Sequence, residues 1–162
     1  MKQPLFTTPP SSICILRLSA LGDVCHVLPV VRTLQDTWPS TQLTWILGKL
    51  EHKLLGHLPG IEFIVFDKNA GAQGYRDLRS QLRGRRFDAL LHMQLALRAS
   101  IASTMVPARY RLGFDRARAR EGQWLFTSAK IEARSREHVL DSLFGFAERL
   151  GVTTRSMRWD IP

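Results

Sequence analysis

The segment Arg17-Leu18-Ser19-Ala20-Leu21-Gly22-Asp23-Val24-Cys25-His26-Val27-Leu28-Pro29 holds the residues best placed to do chemistry. It follows a short apolar run, Ile13-Cys14-Ile15-Leu16, and leads into Val24, Val27, Leu28, Val31 and Leu34 at helical spacing. The spacing predicts a strand, a turn and a helix. In open α/β sheets, ligands bind at turns of this kind, beyond the carboxyl ends of the strands. The turn lacks the G-x-G-x-x-G spacing of a dinucleotide site and the G-x-x-x-x-G-K-S/T of a phosphate loop, so NAD and ATP are disfavoured as its ligands. Asp23 stands where the helix is expected to start, and two roles fit it. As an N-cap it would accept backbone N–H bonds, worth about 1 kcal/mol. As a carboxylate favoured by the helix N-terminus and set beside a crevice, it would take a proton from a hydroxyl as general base. The roles are compatible. His26, three residues on, reads as a structural side chain near the crevice.

The elements that must position this turn follow from the rest of the chain. Leu43–Leu47 and Ile61–Phe66 are apolar, β-prone runs, as is Phe87–Met93, and each suits a strand buried on both faces. Arg109–Gly113 makes a fifth, short strand. Between them lie a short helix through Leu50, Leu54 and Leu55, an amphipathic helix over Tyr75–Leu82, and a helix from about Leu95 to Met105. The first helix should stop near Trp38-Pro39, because proline disfavours helix in the residue before it. An arginine-rich loop over Asp115–Gly122 precedes a last helix, with Val139, Leu140, Leu143, Phe144, Ala147 and Leu150 on one face and Gly151 as its stop. The alternation predicts an α/β fold: a three-layer α/β/α domain with a mainly parallel sheet. Residues 1–11 read as a loose tail, 12–156 as the domain and 157–162 as the start of a connection to a second domain that this chain lacks.

Composition narrows the class. The 162 residues suit one domain, with 44% hydrophobic and 23% charged residues. Lys and Arg number 23 against 14 Asp and Glu, a net charge of +9. Such an excess attracts phosphates in nucleic acid, anionic lipid or phosphorylated sugars, or serves solubility alone. Cys14 and Cys25 have no metal-site spacing and read as idle thiols in a reducing cytosol. No run approaches the ~18 apolar residues of a membrane span, and Met1–Ser12 does not resemble a signal peptide, so a cytoplasmic location is expected.

Arg17–Val24 with His26 and Leu28-Pro29 resembles the N-terminal signature of the ADP-heptose:lipopolysaccharide heptosyltransferases, glycosyltransferase family 9. The likeness extends to Trp45-Ile46, Phe87-Asp88, Arg111-Leu112-Gly113-Phe114-Asp115, Ala119-Arg120-Glu121 and His138. It implies a GT-B enzyme with two facing Rossmann-like domains. This chain would be the N-terminal, acceptor-binding one, and the nucleotide-sugar domain would lie elsewhere. The aspartate of the family's Gly-Asp pair is its proposed base and matches Asp23. The implied reaction is inverting transfer of heptose from ADP-heptose to the Kdo-bearing inner core of lipopolysaccharide, without metal or other cofactor. Implied acceptor contacts are Ser19, Gly22, Lys68, Gln94, Arg98, Arg111 and Arg120. Arginine suits such carboxylates and phosphates because its planar fork bonds oxygens in pairs. His92, Leu95 and Ala99 depart from the family's usual aspartate, glycine and serine, which bears on the acceptor rather than on the base.

Arg76, Arg79, Arg83, Arg85 and Arg86 read as a solvated basic face that can add diffuse attraction to an anionic membrane surface. Peripheral contact with the inner membrane is therefore expected. Two other classes compete with the enzyme reading. One is a module that holds an anionic glycolipid without transferring sugar. The other is a basic nucleic-acid-binding domain, for which there is no zinc spacing, recognition-helix pattern or RNA-binding aromatic motif.

Overall fold

The computed structural model describes residues 3–115, 118–132 and 139–155, with only the backbone of Arg120 and Val139. Its strands are β1 (Ser12–Leu16), β2 (Gln42–Leu47), β3 (Ile61–Val65), β4 (Phe87–His92), β5 (Ala108–Gly113) and β6 (Ala129–Lys130). Its helices are α1 (Leu21–Thr37), α2 (Lys49–Leu55), α3 (Ala72–Gln81), α4 (Leu97–Ser103) and α5 (Val139–Leu150). Short 3-10 turns cover Lys68–Ala70 and Arg120–Phe126. All strand pairs are parallel, in the order β3-β2-β1-β4-β5-β6. The expected Rossmann-like three-layer α/β/α sheet is therefore present, with one more strand than the sequence suggested. β6 is two residues long and carries no periodicity to read.

Strand alternation sends side chains to two cores. Ile13, Ile15, Ala89 and Leu91 face α1 and α5 with Val24, Leu28, Val31, Leu143, Phe144 and Ala147. Cys14, Leu16, Leu90 and Ile46 face α3 and α4 with Leu78, Leu82, Ala99 and Ala102. The Cys14 thiol is buried, and that burial raises its pKa. Residues 5–11, expected to be loose, are tied down. Leu5 and Phe6 donate to the carbonyls of Arg149 and Leu150, Thr41 Oγ1 donates to Pro10 O, and Phe6 packs edge-on against Trp38 and Tyr110. Among the basic residues expected on a solvated face, Arg85 differs. It binds Glu62 through two bonds of 3.0 and 2.7 Å and lies over the Phe87 ring.

The strand order reverses between β1 and β4. The chain leaves β1 toward α1 on one face and leaves β4 toward α4 on the other, so a crevice opens at their carboxyl ends. Beyond β5, the 3-10 turn is drawn back over the sheet by Gln123, which is fully buried. Its Oε1 accepts from Phe114 N at 3.0 Å, and its Nε2 donates to His92 O at 2.9 Å. Gly113 leaves room for this clamp: a Cβ there would stand 2.4 Å from Thr127 Cγ2 and 3.0 Å from Gln123 Oε1. Gly113→Ala is therefore expected to cost about 1–3 kcal/mol by overpacking. Thermal unfolding should register a loss of roughly 3–10 °C.

His92 ends β4 beneath α4, fully buried, with Nε2 2.9 Å from Ser100 Oγ and Nδ1 without a hydrogen-bond partner among the described residues. Burial, and then the nearby Arg111 charge, pull the imidazole down to about 3. The unfolded value is near 6.5, so the unfolded chain takes up a proton first as pH falls. Stability from this group is full above about pH 6.5 and declines toward pH 3, by at most ~1.4 kcal/mol per pH unit. Denaturant titrations at pH 7, 6 and 5 should show a shallower decline for His92→Gln than for the parent chain.

Candidate active site at the switch point

The first turn of α1 is built differently from the capped start suggested by sequence. The helix begins at Leu21, its N-cap is Ala20, and no side chain caps it. Asp23 is the third helical residue, so its carboxylate is not spent on the cap. It still lies in the first turn, where the helix favours negative charge. Its side chain is 53% exposed, and Oδ2 is 3.3 Å from Arg17 NH2. Gly22 beside it is exposed, and a Cβ there would meet nothing within 4 Å.

Arg17 is the residue that fixes this corner. Its NH1 donates to Met93 O at 2.6 Å and its Nε to Ser19 O at 3.0 Å. One guanidinium thus joins the end of β4, the turn after β1 and the Asp23 carboxylate. Burial pulls its pKa below the ordinary arginine value, and the Asp23 charge works in the opposite direction. Gln94 adds a second tie: Oε1 accepts from Leu18 N at 2.7 Å, and Nε2 reaches Ser19 Oγ at 3.5 Å.

Two clefts flank the Arg17–Ala20 turn. One, of about 360 Å³, is lined by Arg17, Asp23, Leu95, Phe114, Arg118, Ser142 and Leu143. Here Arg118 NH1 donates to Ser142 Oγ at 2.6 Å and lies 3.6 Å from Asp115 Oδ1, a buried carboxylate. The second cleft, of about 240 Å³, gathers Ser19, Lys68 and Arg98 with Lys49, Glu51 and Asp67. A carboxylate accepting a proton and arginines holding anionic groups are both chemically available at this edge of the sheet. Among the described residues no group of three or more metal-ligating side chains occurs.

Of the expected acceptor contacts, Ser19, Lys68 and Arg98 come together, and Gly22 adjoins Asp23. Gln94 is engaged in holding the turn. Arg111 is turned away from both clefts. It donates to Phe126 O at 3.2 Å, to Val106 O at 2.7 Å and to Ser103 O, joining the end of α4 to the 3-10 turn. The side chain of Arg120 and all of His138 lie outside the described residues, as do 157–162. Sequence spacing singles out neither Arg118 nor Gln123, and Arg17 is marked in it only as part of a motif. Arg17 could have been found from its place at the end of β1. Nothing in the spacing distinguishes Arg118 from the other arginines of its loop.

The family model for glycosyltransferase family 9 (heptosyltransferase) matches residues 75–162. The chain is 49% identical over 158 residues to the lipopolysaccharide core heptosyltransferase OpsX of Haemophilus influenzae. That match covers 98% of this chain and 46% of the relative, so the chain spans about half of the relative's length. The E. coli heptosyltransferase WaaC, solved with ADP-2-deoxy-2-fluoro heptose, superposes with a TM-score of 0.78 at 20% identity. The superposition covers 92% of this chain and 51% of that one. A family 9 glycosyltransferase from Veillonella parvula superposes with a TM-score of 0.71 at 23% identity, over 88% of this chain and 42% of that one. At these identities the solved structures establish the shared fold, while the family match, over more than half of the chain, establishes membership: the chain belongs to glycosyltransferase family 9, the heptosyltransferases.

Proposed function

We propose that this chain is the acceptor-binding half of an inverting heptosyltransferase that transfers heptose from ADP-heptose to the inner core of lipopolysaccharide, with Asp23 as general base. Residues 12–156 would form the acceptor domain, and 157–162 would lead toward a nucleotide-sugar domain. The observation that carries the reading is Asp23 itself. The carboxylate is open to a cleft at the switch point, is not consumed in capping, and is steadied by Arg17.

In this reading the acceptor hydroxyl lies against the Asp23 carboxylate. As the hydroxyl oxygen bonds to the anomeric carbon, its proton passes to Asp23. The bond from that carbon to the ADP oxygen breaks on the opposite face, and ADP leaves with the electron pair, which inverts the configuration. Arg17 is a positioning residue, since it reaches the reaction through Asp23. Arg118 and the Ser19–Lys68–Arg98 cleft offer fixed positive charge to the carboxylates and phosphates of a Kdo-bearing acceptor. Gly22 keeps the approach to Asp23 free. Arg111 and Gln94 would act by holding the loops, and Arg120 stays a proposed contact on the strength of its match to the family's Ala-Arg-Glu. The reaction needs no cofactor beyond the donor sugar. The protein would work in the cytoplasm, at the membrane that carries its acceptor.

The tests require this chain joined to a donor domain. Asp23→Asn should lower kcat by roughly 10²–10⁴-fold, the range of a lost general base, with little change in melting temperature. Turnover close to that of the parent protein would leave Asp23 with no catalytic part. Arg17→Gln should lower kcat more than it raises the acceptor KM, because the guanidinium orients the base rather than the sugar. An unchanged kcat with a raised acceptor KM would make Arg17 a binding residue.

A further inference from the structure

Of the five large apolar side chains exposed among the described residues, four gather on one flank; the fifth, Leu50, stands on α2 at the cleft with Lys49. Leu97 and Ile101, four residues apart on α4, lie on one side of that helix and are 48% and 38% exposed. The 3-10 turn that packs against α4 adds Trp124 at 37% and Leu125 at 69%. Leu125 shares a groove with Thr104, at the end of α4. Thr104 also lines a second groove with Met105, Arg79 and Arg83. The apolar strip is thus bordered by the basic side of α3.

Charge on this flank is unbalanced. Over α3 and the turn after it, α4 and the 3-10 turn, the exposed arginines with described side chains are Arg76, Arg79, Arg83 and Arg98. The exposed acids there are Asp77 and Glu121, and Asp77 accepts a bond from Gln73. Apolar side chains with a tryptophan among them, rimmed by arginines whose stems can lie along an apolar surface, match the interface of an anionic bilayer. Arg98, next to Leu97, also lines the cleft with Ser19 and Lys68. The strip therefore runs up to a ligand cleft.

We infer that the α4 flank, through Leu97, Ile101, Trp124 and Leu125 with Arg79 and Arg83, docks the protein on an anionic lipid bilayer. This deepens the expected peripheral contact by naming the face, and it does not depend on Asp23 acting as a base. The test uses no substrate, so its outcome is separate from that of the transfer reaction. The chain is mixed with vesicles of phosphatidylglycerol and phosphatidylethanolamine, or of phosphatidylcholine alone. Co-sedimentation is expected with the first and much less with the second. Tryptophan emission should shift to the blue and be quenched by lipids brominated along the acyl chain, and Trp124→Phe should remove that response. Leu97→Gln with Leu125→Gln should weaken binding at least about tenfold, since each loses a buried apolar side chain. Arg79→Gln with Arg83→Gln should weaken it about 25-fold, about fivefold per charge near the surface. Binding that is unchanged in these variants overturns the inference, as does equal binding to neutral vesicles. So does a Trp124 response to protein concentration rather than to lipid, which would assign the face to contact between copies. The quenching by brominated lipid is read on the unaltered chain, so the inference can fail without any variant.

Discussion

A half-buried guanidinium holds together the end of this domain where the candidate site lies. β1 and β4 are neighbours, but the chain leaves them toward opposite faces of the sheet. The space between the departing loops would otherwise be free to widen. Arg17 spans it, from the turn after β1 to the Met93 carbonyl at the end of β4. A charge in this position is tolerable only when its donors are matched, and two carbonyls and one carboxylate match them. The carboxylate is Asp23, so the contact that closes the loops also orients the group proposed to take the proton. Gln94 repeats the tie from the opposite strand through Leu18 N.

Behind this corner the same device recurs with neutral and charged side chains. Gln123 bridges the ends of β4 and β5, and Arg111 bridges α4 to the 3-10 turn through three carbonyls. Both serve backbone groups at element ends, where helices and strands leave carbonyls and amides without partners of their own. These contacts bring Phe114 and Arg118 to the Asp23 cleft and leave Trp124 and Leu125 on the outer flank. One irregular segment therefore shapes the floor of the proposed site and the surface proposed to meet lipid.

The arginines of this basic chain divide by partner rather than by position in sequence. Arg85 is committed to Glu62, Arg111 to carbonyls, and Arg17 to the switch point. Arg98 stands exposed over its cleft, and Arg118 lines the other while bonded to Ser142. A net charge of +9 says only that positive surface is available. The ion pairs and carbonyl contacts decide how much of it faces a ligand.

The sequence by itself determined the architecture and marked the carboxylate proposed as the base. Apolar β-prone runs and helical spacing suffice for five strands and their helices, because burial on both sheet faces leaves a pattern along the chain. The Gly-Asp turn after the first strand is equally local. It marked Asp23, although the helix start was misplaced by two residues and the cap reading with it. The tertiary structure alone decided the two-residue β6, the anchoring of residues 5–11, and the division of Asp23 and of Ser19, Lys68 and Arg98 between two clefts. It also turned Arg111 inward and brought Arg118 to the site. A long side chain goes where distant carbonyls and carboxylates lie, and their distance in space is set by strand order, which no local spacing encodes.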